Sequence, residues 1–105
     1  MLTRNEELVL LTILKLDENA YLITIRDFLK EHIGRDLSFG TLYVLLRRLR
    51  KSRYVDTVDG EATAKRGGKA IQYYRIAESG IDALKRIQEL NDVMWEDFNK
   101  LTINV

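Results

Sequence analysis

Two segments with helical patterning, residues 24–33 and 38–52, are separated by only four residues, Gly34-Arg35-Asp36-Leu37. So short a connection, with a glycine to stop the first helix, forces the second to turn sharply against it and pack across it. The first of the pair begins at Thr24, which is predicted as its N-cap, and places Ile25, Phe28, Leu29 and Ile33 on one face. His32 sits near its end, where a partly charged imidazole suits the helix dipole, and reads as a helix-end residue rather than a ligand. Ser38 is predicted to cap the second. At about 100° per residue, Leu42, Leu45, Leu46 and Leu49 fall on one side of that helix, with Phe39 nearby. Gly40, Thr41, Val44, Arg47, Arg48 and Lys51 fall on the other, with Tyr43 on the flank. The leucine side is an ordinary core face. The opposite side carries small residues and hydroxyls in its first turns and cations later. That order suits a helix entering a DNA major groove, where hydroxyls and methyls meet base edges and arginines meet phosphates or guanine. An arginine-rich amphipathic helix taken alone would equally be a plain surface helix.

The remainder of the chain supplies the other elements. Thr3-Arg4-Asn5-Glu6 has capping-box spacing and opens a first helix whose apolar residues, Leu8 to Leu16, cover most of its circumference, which places it at the centre of the core. Asp17-Glu18-Asn19 ends it. Residues 54–58 and 70–76 are rich in β-branched and aromatic side chains and read as two strands of a hairpin with an extended tip. A last helix opens at Glu78 or Ser79 and runs to Leu101, and no proline anywhere in the chain forbids it. The expected fold is mainly α with a small β-hairpin (α+β): a winged helix-turn-helix over residues 1–77, and an additional C-terminal dimerisation helix over 78–105 packed on the same domain.

A net charge of +1 conceals a sorted distribution. Residues 26–54 and 65–77 hold 12 of the 17 basic side chains and 3 of the 16 acidic ones. The other 63 residues hold 5 basic and 13 acidic. One positive face and one negative face follow. Within the positive part, Lys65-Arg66-Gly67-Gly68-Lys69 sets three cations around two glycines at the hairpin tip. A basic tip beside a helix-turn-helix suits a wing that follows phosphates or enters the minor groove, although a solvated loop has the same composition. Gly68-Lys69 is not the end of a phosphate-binding loop. Ala70 stands at the hydroxyl position, Thr63 at the first glycine position, and the segment leads into a strand.

Catalytic classes are poorly served. There is no cysteine and a single histidine, so thiolate and histidine-rich metal sites and Cys–His dyads are excluded, and no nucleophile–base pair or phosphate loop is found. The chain is read as a non-enzyme without cofactor or metal. No apolar run approaches the roughly 18 residues that a membrane span requires. The opening residues are too polar for a secretory signal, so a cytoplasmic, nucleoid-associated protein is expected.

Ser38-Phe39-Gly40-Thr41-Leu42-Tyr43 with Leu46-Arg47-Arg48-Leu49, then the basic Gly-Gly hairpin, then Tyr73-Tyr74-Arg75-Ile76-Ala77-Glu78-Ser79-Gly80, resembles the PadR-like winged-helix transcriptional regulators. The likeness spans about residues 3–100 and is that of the subgroup with a short C-terminal part. The sequence departs from the family pattern at Val44, where proline is frequent, at Ala77, where threonine usually caps the last helix, and at Leu22, where glycine is common. With threonine absent at 77, Ser79 or Glu78 is left to cap the last helix. The resemblance implies a dimeric repressor that dimerises through its C-terminal helix, and several such proteins respond to small aromatic or drug-like compounds.

The last helix agrees with a dimer on its own terms. Ile81, Leu84, Ile87, Leu90, Met94, Trp95, Phe98 and Leu101 cover about half its circumference, wider than the roughly 100° stripe of a simple surface helix. One part can pack on its own domain. Ile87, Leu90, Met94, Trp95, Phe98 and Leu101 are the expected dimerisation residues, with a second copy of the chain as partner. Trp95 is either an interface anchor or, with Met94, part of an inter-subunit cavity for a flat aromatic effector. The expected function is sequence-specific binding of double-stranded DNA at an inverted repeat, through Ser38, Gly40, Thr41, Tyr43, Val44, Arg47, Arg48, Lys51, Lys65, Arg66 and Lys69. The alternative is a winged helix used for protein–protein contact with an acidic partner.

Overall fold

The computed structural model describes residues 1–60 and 70–103. Helix α1 spans Arg4–Leu16, capped by Thr3, whose hydroxyl accepts from the Glu6 N–H at 3.1 Å while the Glu6 carboxylate accepts from the Thr3 N–H at 3.0 Å. A short 3₁₀ turn over Asp17–Asn19 leads to α2, Leu22–Phe28. Its N-cap is Tyr21, three residues earlier than the sequence predicts. Thr24 lies in its first turn, where its hydroxyl accepts from the Tyr21 N–H at 3.0 Å and donates to the Asn19 carbonyl at 2.6 Å. The side chain therefore reaches back to secure the entry rather than heading the helix. Helix α2 continues as a π turn over Leu29–Ile33 and stops at Gly34, whose φ of 74° is the left-handed conformation expected of it.

Helix α3 spans Phe39–Lys51. Its inward face carries the four leucines at 42, 45, 46 and 49, all buried as the periodicity predicts. They join Val9, Leu10 and Ile13 of α1, Ala20, Ile25 and Leu29 in one core. Arg53 leaves α3 with φ at 63°, and the Tyr54 N–H bonds the Leu49 carbonyl across this turn at 2.9 Å. A left-handed arginine costs about 1–2 kcal/mol, which the glycine of Arg53→Gly would avoid. Part of the gain is lost to the wider freedom of glycine in the unfolded chain. Urea denaturation should show Arg53→Gly more stable by about 0.5–1 kcal/mol.

Strands β1, Val55–Asp59, and β2, Gln72–Ile76, pair antiparallel with Val55 opposite Ile76 and Asp59 opposite Gln72. The Tyr74 N–H adds a bond to the Ala20 carbonyl at 2.8 Å, so the hairpin is fastened to the lead into α2. Val55 and Tyr74 close the core from this side.

Helix α4 spans Glu78–Met94 and α5 spans Glu96–Ile103. The sequence predicts one helix to Leu101. Instead the run is interrupted at Trp95, whose ψ of −1° departs from helical geometry. Two carboxylates, Glu96 and Asp97, then occupy the first turn of α5, where they favour a new N-terminus. Ser79 does not cap α4 as expected; its hydroxyl donates to the Arg53 carbonyl at 2.6 Å, and Ala77 heads the helix without a side-chain bond. Gly80 is the buried residue of α4, and Leu84 packs against the core edge. Beyond that point the arm has no buried side chain among the described residues and meets the domain only along open grooves beside Leu2, Glu7, Leu11 and Leu14. The chain measures 59 × 27 × 22 Å with a radius of gyration of 16.2 Å, against about 13 Å for a compact chain of this length.

Candidate nucleic-acid interface

The connection between α2 and α3 is built to hold one geometry. Ser38 heads α3 with its hydroxyl accepting from the Thr41 N–H at 3.1 Å and donating to the Thr41 Oγ1 at 2.9 Å. That arrangement occupies one lone pair of the Thr41 hydroxyl and leaves its proton to donate elsewhere. From α2, Arg26 reaches across the turn. Its Nε–H donates to the Leu37 carbonyl at 2.9 Å, its guanidinium stands 3.6 Å from the Asp36 carboxylate, and its Cζ lies 4.5 Å from the centroid of the Phe39 ring. Arg26 enters the sequence reading only as one more positive charge. Helical periodicity marks which residues face the core and is silent about which face a turn.

The outward side of α3 gathers as expected. Gly40, Thr41, Val44 and Arg48 line one shallow depression together with the edge of Leu45. Val44 and Tyr43 are about half exposed, at 48% and 53%. Arg47, Arg48 and Lys51 are exposed, and among the described residues none of them has an ion-pair partner. Tyr43 turns to the other flank, where it shares an apolar groove with Tyr21, Ile23 and Tyr74. Burial pushes the Tyr74 phenol above the ordinary 10.0, the nearby Tyr43 adds to this, and Arg50 opposes it. Phe39 is 45% exposed; it lies under the Arg26 guanidinium and not in the leucine core. Lys65, Arg66 and Lys69 lie outside the described residues.

The arm presents the second expected surface. Leu90 is 49% exposed, Met94 71%, Trp95 53%, Phe98 52% and Leu101 66%, while Ile87 is half-buried. The rings of Trp95 and Phe98 meet edge-on at 5.1 Å. Nearer the domain, the exposed Leu11 and Leu14 of α1 face Ile81, Leu84 and Ile87 of α4 across an open apolar groove. Among the described residues no group of three metal-ligating side chains occurs, and no helix is long and apolar enough to cross a membrane.

A supporting helix, a short turn, a helix laid across it and an antiparallel hairpin define a winged helix-turn-helix. Solved structures share the whole arrangement. A transcriptional regulator from Clostridium thermocellum is 25% identical with a TM-score of 0.71, over 90% of this chain and 89% of that one. A PadR family transcriptional regulator from Eggerthella lenta is 27% identical with a TM-score of 0.70, over 94% of this chain and 84% of that one. A PadR-like transcription factor from Bacteroides fragilis is 28% identical with a TM-score of 0.67, over 95% and 86%. No curated protein matches the sequence. The profile of the family described as "Transcriptional regulator PadR-like family" matches residues 10–86, and the chain belongs to that family. It is accordingly a DNA-binding regulator of transcription and not an enzyme.

Proposed function

We propose that the chain acts as a homodimeric repressor that sets α3 of each protomer into the major groove of an inverted-repeat operator. The observation that carries this reading is the outward face of α3, where hydroxyl and methyl groups at Thr41 and Val44 precede exposed cations at Arg47, Arg48 and Lys51, which have no ion-pair partner among the described residues. Ser38 and Gly40 let the start of the helix approach the bases, and Thr41, Tyr43 and Val44 read them. Arg47, Arg48 and Lys51 bind phosphates or guanine edges. Lys65, Arg66 and Lys69 are assigned to the phosphates from their sequence alone.

The dimer is supported by the apolar residues that the arm leaves uncovered, with Ile87, Leu90, Met94, Trp95, Phe98 and Leu101 as its interface. Residues 1–77 form the reading unit and 78–105 the dimerising one. Trp95 and Met94 would line a cavity between protomers in which a flat aromatic effector stacks and relieves repression. Repression and the effector rest on the family resemblance and on the exposure of these two side chains.

The test is binding to duplexes across a salt series. Alanine at Arg47, Arg48 and Lys51 should weaken binding to all sequences, each change lowering the salt slope by up to about one. Alanine at Thr41 or Val44 should instead change which sequence is preferred. Intact duplex affinity in the triple alanine variant would remove α3 from the groove.

A further inference from the structure

We infer that Arg26 is a positioning residue for sequence recognition: it sets the angle at which α3 meets DNA without itself touching the nucleic acid. This deepens the reading of α3 as the recognition helix and rests on it.

The side chain lies on the supporting helix, yet each of its partners belongs to the turn or to the start of α3. The Nε–H donates to the Leu37 carbonyl, one residue before the cap of α3. The guanidinium faces Asp36, two residues before it. Its flat side covers the ring of Phe39, the first residue of α3. One rigid planar group therefore grips three residues that straddle Ser38, and Ser38 in turn orients Thr41. A hydrogen bond and an ion pair along one edge and a ring against one face fix both the distance and the tilt of the helix start relative to α2. Lysine cannot reproduce this. Its point charge can answer Asp36 or lie over Phe39, but it lacks the planar fork that binds the carbonyl and stacks together.

Exposure also argues for an internal role. The Arg26 side chain is 25% exposed, while the cations at 47, 48 and 51 are open to solvent and have no ion-pair partner among the described residues. Asp36 is 63% exposed and carries one carboxylate whose charge the guanidinium answers. An arginine held in this way has its Nε–H and one face committed inside the protein, which leaves it less free to follow a phosphate than the open cations of α3. The bases read by Thr41 and Val44 lie within ångströms of the helix start, so a small tilt there misplaces them, whereas a phosphate contact from a long lysine or arginine adapts.

The experiment compares Arg26→Lys and Arg26→Met with the parent chain, measuring affinity for a selected operator and for random duplex across a salt series. Both variants should lose about tenfold in the ratio of operator to random-duplex affinity, with the affinity and salt slope on random duplex unchanged. Phe39→Leu, at an exposed position remote from the core, should move the same ratio in the same direction by a smaller factor. Folding is checked by circular dichroism; if Arg26→Met unfolds, Arg26→Lys and Phe39→Leu decide the matter. Retention of the ratio in Arg26→Lys, or a fall in the random-duplex salt slope of about one unit in Arg26→Met, would make Arg26 a phosphate contact and overturn the inference. An unchanged ratio in all three variants would overturn it as well. Failure of the underlying reading looks different: Thr41→Ala and Val44→Ala would then leave sequence preference untouched.

Discussion

Lysine at both Met94 and Phe98 is expected to yield a folded monomer of about 12.3 kDa that binds its operator 10²–10⁴-fold more weakly than the parent chain. The reasoning begins with exposure. Met94 is 71% and Phe98 52% exposed in one chain, at the far end of an arm that has left its own core. Two ammonium groups buried in a self-complementary interface would be repeated by the two-fold symmetry, so the cost is incurred twice. Neither side chain belongs to the core, so the substitutions leave the domain intact. Affinity for a single half-site should stay as it was, because the reading face is untouched. The fall on the full operator then measures what linkage of two half-site contacts contributes. Sedimentation velocity at micromolar concentration supplies the first half of the result and operator titration the second. A dimer that survives both lysines would place the interface elsewhere on the chain.

The second large effect is expected at Gly80. A Cβ built there would lie 2.4 Å from the Tyr54 carbonyl oxygen and 2.9 Å from Ile76 Cγ1. The first of these is backbone, and it already accepts the Ala77 N–H at 2.9 Å. Ordinarily alanine strengthens a helix relative to glycine by up to about 1 kcal/mol. Here that gain is outweighed, because α4 must move off the hairpin or β1 must bend. Gly80→Ala should lose about 2–3 kcal/mol, a fall of roughly 10–20 °C in the thermal midpoint for a domain of this size. A midpoint equal to or above that of the parent would show that α4 does not sit as tightly on Tyr54 as described.

Much of the fold could be read from periodicity. The four leucines of α3, the capping box at Thr3 and the glycine stop at Gly34 all follow local rules of spacing and backbone sterics, and the structure repeats each of them. The two strands agree to within two residues at each end. What escaped the sequence involves partners far apart in the chain. Ser79 looks like a cap until the Arg53 carbonyl, 26 residues away, arrives to claim its hydroxyl. Thr24 looks like the head of α2, yet its hydroxyl turns back to Asn19 and Tyr21 because Ala20 is tied to β2. The apolar residues from Ile81 to Leu101 suggest one continuous helix, since hydrophobic spacing alone does not register the backbone interruption at Trp95. At the candidate site the exposed face of α3 was legible, because polar and small residues on one side of an amphipathic helix are local information. Arg26 was not, because its work is done on a turn eleven residues downstream.

Residues 53–54 and 77–80 hold a further consequence. The carbonyls of Arg53 and Tyr54, just past the end of α3, receive the Ser79 hydroxyl and the Ala77 N–H, and Gly80 bears directly on the second. This joint is a fulcrum. From Gly80 to Met94 the arm is roughly 20 Å long, so a displacement of about 2 Å at Met94 is a rotation of about 6° at the joint. Close packing leaves no slack to absorb it. In the proposed dimer, a protomer that slides against its partner would therefore lever the last turn of its own α3, with Arg48 and Lys51 on the short side of the beam.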